Sequence, residues 1–342
     1  MINFNFSKGY SLNFERKDIC LKLIQFLKLL KIKQISFSKC LLISPYIFPL
    51  CQIIKKNRKR LQLFEFSPKS YQYFEIIKTN IVLLFLSISL CFNLKTLKFN
   101  NGREQEYNHA EFPKAFCLLN YLRNLEEIAF KGCGFYFSME SNSLQKLVSL
   151  KSISFKSCYF DVKAFFCLIE NISYLPKMKK LILKKHNYFS DIIDFPEQNY
   201  LEKFIKNYRI PEISIDSCFE DEFEKFNFFN FFVNFLLQSK NCFIHILKLQ
   251  ISHAKLNLKI KELFQFLLGS NIDHLEINAW DYAPLDVQEF YYYLQNSQNL
   301  KTMKIFQGYS DMKWDLILNA LSVNNSIKEL SLSNGFCFDK YY

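Results

Sequence analysis

A short apolar signature returns along almost the whole of this chain and limits what it can fold into. It reads apolar, two residues, apolar, one residue, apolar. Clear copies are Leu125/Ile128/Phe130, Leu150/Ile153/Phe155, Met178/Leu181/Leu183, Ile210/Ile213/Ile215, Ile244/Leu247/Leu249, Ile272/Leu275/Ile277, Leu300/Met303/Ile305 and Ile327/Leu330/Leu332. Looser copies precede them at Ile32/Ile35/Phe37, Leu61/Phe64/Phe66 and Leu94/Leu97/Phe99. Successive copies begin 25 to 34 residues apart. The last two apolar residues of each copy are two apart, so they share one face of a short strand and their neighbours take the other. Between copies lie helix signals: Asp161 before 162–174, Pro284-Leu285-Asp286 before a stretch ending at Leu294, and Ser310-Asp311 before one ending at Leu321. One strand and one helix cannot bury their own apolar faces, but a stack of such pairs buries a continuous core. The expected fold class is therefore α/β, a coil of about eleven strand-helix turns.

Strand then helix in turns of this length resembles the leucine-rich repeats of the ribonuclease-inhibitor-like, cysteine-containing type. The resemblance covers roughly residues 30–335. That family places Asn or Cys three residues after the last strand apolar, and Cys40, Cys133, Cys158 and Cys218 hold that place here. The other copies depart from it, with Lys69, Gly102, His186, Ser252, Trp280, Gly308 and Gly335. The resemblance implies a right-handed solenoid, a horseshoe with a parallel concave sheet and convex helices. The expected organisation is an N-terminal capping helix region over 1–31, with an amphipathic helix from Asp18 to Leu30, and a repeat array over 32–342. In that array the repeats over 32–93 are weak and those over 94–335 clearer, and the C-terminal end is uncapped.

The signature also fixes which side chains face outward. The residue after the last apolar is Lys in three consecutive turns, Lys131, Lys156 and Lys184, with Lys98, Lys180 and Lys185 at neighbouring outward positions. Ammonium groups on adjacent strands repel by about 0.8 kcal/mol in water before salt screening. A ladder of three is a small cost that a Lys-rich chain tolerates, or one kept for an acidic partner. A second candidate surface is aromatic. Phe228, Phe231, Phe232 and Phe235 fall in one predicted helix whose Phe residues run nearly all round it, while a convex helix needs a single buried stripe.

The net charge of +12 is concentrated early. Residues 1–100 hold 17 Lys and Arg against 4 Asp and Glu, including the run Lys55-Lys56-Asn57-Arg58-Lys59-Arg60. Such a run suits nucleic acid, anionic lipid or an import receptor, and equally a solvated loop. Eleven cysteines show no C-x-x-C pair, so thiols in a reducing compartment are the expectation and no zinc site is read. The longest apolar run, Ile81–Phe92, is too short to span a bilayer. No phosphate-cradling glycine loop, no H-E-x-x-H and no G-x-S-x-G occurs, and the five histidines are scattered. No catalytic residue, cofactor or metal is expected.

Three functional readings stay open at this point. The first is a non-catalytic protein-interaction module, a scaffold that is cytoplasmic, or nuclear through the basic run, and binds an acidic protein on the concave face. The second is the regulatory or substrate-recognition arm of a kinase or ubiquitin-ligase assembly. The third is nucleic-acid binding through the basic N-terminal third, marked by steep salt dependence. Phe336, Phe338, Tyr341 and Tyr342 follow the last strand where a polar cap is expected, which predicts self-association at an open C-terminal edge.

Overall fold

The computed structural model describes residues 3–5, 25–27, 29–40, 44–68, 82–100, 110–111, 117–135, 144–160, 162–184, 188–189, 202, 206, 208–216, 232, 234, 243–251, 257–279, 288–307 and 314–334. The chain divides into two compact units, one of Met1–Met178 with Asn187–Ser190, the other of Lys179–His186 with Asp191–Tyr342. In both, each described strand of the main sheet adds to the previous one in parallel.

In the first unit the main sheet is built from β1 (Asn3–Asn5), β2 (Gln34–Cys40), β3 (Leu63–Pro68), β4 (Thr96–Asn100), β6 (Glu127–Lys131) and β8 (Ser152–Lys156), paired in that order. The register follows the apolar signature. Phe4 lies opposite Ile35, Ile35 opposite Phe64, then Leu97, Ile128 and Ile153 in turn. The next inward position is Phe in every turn from β3 on: Phe66, Phe99, Phe130 and Phe155. A second, minor sheet of very short strands runs beside it: β5 (Ala110–Glu111), β7 (Cys133–Phe135), β9 (Tyr159–Phe160) and β11 (Tyr188–Phe189). Through it Phe135 and Phe160 reach the aromatic row. Phe135 meets Phe130 and Phe155 edge-on, each at 5.3 Å, and stacks on Phe160 at 5.1 Å. Such edge and offset contacts add to simple area burial.

The second unit pairs β10 (Lys180–Lys184), β12 (Glu212–Asp216), β13 (Ile246–Ile251), β14 (His274–Ala279), β15 (Thr302–Gln307) and β16 (Glu329–Asn334). Its two inward rows are aliphatic: Leu181, Ile213, Leu247, Leu275, Met303 and Leu330, then Leu183, Ile215, Leu249, Ile277, Ile305 and Leu332. Most are fully buried, but Leu330 on β16 is 40% exposed. Helices Asn257–Leu268, Gln288–Asn296 and Trp314–Val323 return the chain between strands.

Most of the described turns enter their strands through the same device. One carbonyl accepts two successive N–H groups of the following turn; at the Pro211 turn, which lacks one N–H, the Lys179 carbonyl accepts from Glu212 alone. In the first unit Lys33 accepts from Gln62 and Leu63, Gln62 from Lys95 and Thr96, and Lys95 from Glu126 and Glu127. In the second, Asp273 accepts from Lys301 and Thr302, and Lys301 from Lys328 and Glu329. This staple sets the register before the strand begins, so turns of unequal length still present aligned faces.

Helices expected from the sequence form close to where their caps point. Val162–Ser173 is helical, and the later helices occupy Gln288–Asn296 and Trp314–Val323 among the described residues. The segment 1–31 carries more than its expected helix. Residues 25–27 are helical, but Asn3–Asn5 is a strand. The signature was there to be seen, since Met1, Phe4 and Phe6 have its spacing. Phe336, Phe338, Tyr341 and Tyr342 lie outside the described residues.

Candidate functional site

The outer faces of the sheets carry the residues singled out from sequence, and the two units treat charge differently. In the first unit, the middle outward row reads Ser36, Glu65, Lys98, Ala129, Ser154. Ser36 Oγ donates to the Glu65 carboxylate at 3.0 Å, and Lys98 is exposed beyond it. In the next row Asn100, Lys131 and Lys156 stand opposite one another on successive strands. Both lysines are half-buried, on strands about 4.8 Å apart.

In the second unit the outward cations meet carboxylates. Lys180 Nζ is 2.7 Å from Glu212, Lys248 Nζ is 3.8 Å from the same carboxylate, and Lys248 is 3.4 Å from Glu276. The result is an alternating ladder across β10, β12, β13 and β14. Lys180, expected to join the basic patch, is thus committed to Glu212. Lys184 is exposed at the end of β10, and Lys185 lies outside the described residues. The five described lysines fall in different units: Lys98, Lys131 and Lys156 in the first, Lys180 and Lys184 in the second.

His274 extends this ladder. Its Nε2 is buried without a hydrogen-bond partner and lies 3.9 Å from the Glu276 carboxylate. Burial lowers its pKa below the ordinary imidazole value, and Lys248 and Lys304 lower it further against the opposing pull of Glu276 and Asp273. The neutral ring is therefore the form the folded sheet favours.

Of the aromatic helix candidates, Phe232 is fully buried and offers no surface. Phe228, Phe231 and Phe235 lie outside the described residues. Cys133 and Cys158 occupy buried turns as their position predicts. Cys133 donates to the Lys131 carbonyl at 3.3 Å, and Cys158 to those of Lys156 at 3.4 Å and Phe130 at 3.6 Å. Burial pushes the Cys133 thiol well above its usual pKa, with the neighbouring Cys158 adding to the rise, so it is a packing group and not a nucleophile. Among the described residues no cluster of three or more His, Cys, Asp or Glu could hold a metal ion. None of the helices found there is long and apolar enough to cross a membrane. Helices Gln288–Asn296 and Trp314–Val323 border an open cleft of about 550 Å³ lined by Gln288, Tyr291, Tyr292 and Gln295 from one side and Leu316, Asn319 and Ala320 from the other.

Sequence reasoning missed one set of contacts altogether. The Asn just before the first apolar residue of a turn donates to a carbonyl of the turn before: Asn93 to Lys59 at 2.7 Å, Asn124 to Phe92 at 2.7 Å, and Asn299 to Ser270 at 2.9 Å. The dipeptides Asn93-Leu94, Asn124-Leu125 and Asn299-Leu300 are the signal that would have found it.

No protein-family model and no curated protein matches the chain. Among solved structures it is similar to an internalin from Listeria monocytogenes, at 12% identity over 91% of this chain and 84% of that one, with a TM-score of 0.31. It is also similar to a leucine-rich-repeat protein of Leptospira interrogans, at 14% identity over 92% and 81%, again with a TM-score of 0.31. The fold assignment rests on the strand register itself.

Proposed function

We propose that this chain is a non-catalytic protein-interaction module that binds an acidic protein partner on the outer face of its first-unit sheet. The observation that carries the reading is the placement of Lys131 and Lys156 opposite one another on β6 and β8, with Lys98 on the adjoining row. An acidic partner gains from finding two lysines held opposite one another on a rigid sheet. The second unit shows that the same fold accommodates alternating charges, so the cationic row is not imposed by the architecture.

The test is charge reversal on the sheet face. The partner is recovered with the wild-type chain from the native organism, purified, and titrated against the Lys98→Glu, Lys131→Glu, Lys156→Glu triple variant. Binding is expected to weaken by roughly a hundredfold or more, mostly through faster dissociation and slower steering. Affinity equal to that of the wild type would discard the face as the site.

A further inference from the structure

We propose that the strand-entry flank of the first unit docks on an anionic lipid surface. The proposal is independent of the sheet-face reading, because the flank is a different surface made by the turns that lead into the strands.

Two hydrogen-bonded series fix which side chains line this flank. The staple carbonyls stack Lys33, Gln62, Lys95, Glu126 and Lys151 on successive turns. The asparagine contacts stack Lys59, Phe92 and the Arg123 turn in the same way. Both Lys95 and Lys151 share the one carboxylate of Glu126, at 3.5 and 2.6 Å, so that row stays net positive. Lys59, Arg60 and Arg123 are exposed in the next rows. Between them large apolar side chains stand in solvent: Phe92 is 51% exposed, Tyr121 66% and Val148 46%. Lys55 and Lys56 belong elsewhere: they complete the last turn of helix Ser44–Asn57 and complement its dipole.

Cations interleaved with exposed aromatic and aliphatic groups match the boundary of a bilayer. The charges meet headgroups while the apolar side chains enter the acyl margin. A nucleic acid fits the flank less well. The amides of Asn93 and Asn124, the groups best suited to reading base edges, are spent on backbone carbonyls, and Val148 has no ring on which a base stacks. At three later turns of the second unit the corresponding residues are Ser270, Gln298 and Asn325, and Lys301 lies 3.8 Å from Asp273; at its earlier turns Arg209 sits over the exposed Phe243 ring at 4.6 Å.

The experiment is co-sedimentation of the full chain with vesicles of phosphatidylcholine alone and of phosphatidylcholine mixed with phosphatidylserine. Three variants are compared after circular dichroism confirms that each is folded. They are Lys59→Glu/Arg60→Glu/Arg123→Glu, Phe92→Ser/Val148→Ser, and the second-unit control Lys301→Glu/Lys328→Glu. The wild type is expected to sediment with the phosphatidylserine vesicles only. The first variant is expected to lose about tenfold or more in partitioning, the second to lose severalfold, and the control to stay within about twofold of wild type. Absence of anionic vesicle binding, equal binding to neutral vesicles, or full binding by either flank variant would overturn the proposal. So would tighter binding to single-stranded RNA or duplex DNA than to the vesicles.

Discussion

The two units solve one packing problem with different side chains. At the inner of the two inward strand positions the first unit places Phe66, Phe99, Phe130 and Phe155, and the second places Leu183, Ile215, Leu249, Ile277, Ile305 and Leu332. The backbone register is the same, so the turn accepts either a ring or a branched chain. What changes is the layer beneath. Rings reach further inward, and the first unit meets them with the minor sheet that seats Phe135 and Phe160 against Phe130 and Phe155. The outer faces diverge in parallel: the first unit stacks Lys131 on Lys156, while the second alternates Lys180, Glu212, Lys248 and Glu276. A repeat fold therefore fixes where side chains point and leaves their chemistry to each turn.

The contrast can be broken first at the rings. Phe155→Ala removes a buried group that contacts Phe130, Phe135 and Phe160, and should cost about 3–5 kcal/mol. Ile305→Val in the second unit should cost about 1 kcal/mol. Urea unfolding measures both, and hydrogen exchange should place the Phe155→Ala loss in the first-unit strands. A loss spread evenly over both units would show that the aromatic row is not a local device.

Next is the ladder. Glu212→Gln leaves Lys180 and Lys248 facing an uncharged amide and should destabilise the chain by about 1 kcal/mol at low salt, less at high salt. A double-mutant cycle with Lys180→Met isolates the pair. Zero coupling would mean that the alternation is decoration.

The smallest effect is in pH. Since the folded-state pKa of His274 lies below the ordinary imidazole value, the unfolded chain takes up its proton first as pH falls. Stability contributed by the neutral ring is therefore present above that ordinary value and is lost as pH falls below it through the lowered folded-state pKa. His274→Gln should flatten this part of the stability curve. A variant curve parallel to the wild type would show that the buried ring does not sense pH.

Most of the fold was legible because strand periodicity survives variable turn length. Even the loose copies at Leu61 and Leu94 fall into register at Phe64 and Leu97. The first strand carries a full copy in Met1, Phe4 and Phe6, but a capping helix was expected over that segment and Met1 lies a full turn ahead of the next copy at Ile32. The minor sheet was not legible, since strands of two or three residues have no period to read. The outward lysines were placed on the right face, but their partners were hidden. Lys180 meets Glu212 across 32 positions, and the pairing of β10 with β12 brings those positions together. The buried position of Phe232 likewise depends on neighbours that helical spacing alone does not reveal.

The two-into-one carbonyl at most of the described strand entrances has an evolutionary corollary. Because alignment is reset at a single main-chain oxygen, residues can be gained or lost in the return segment without shifting anything on the sheet. A duplicated span beginning at Asp273 and ending before Lys301 would splice in with its own acceptor intact. Growth by whole windings, with each new winding free to acquire its own surface, is thus built into the backbone before selection touches a side chain.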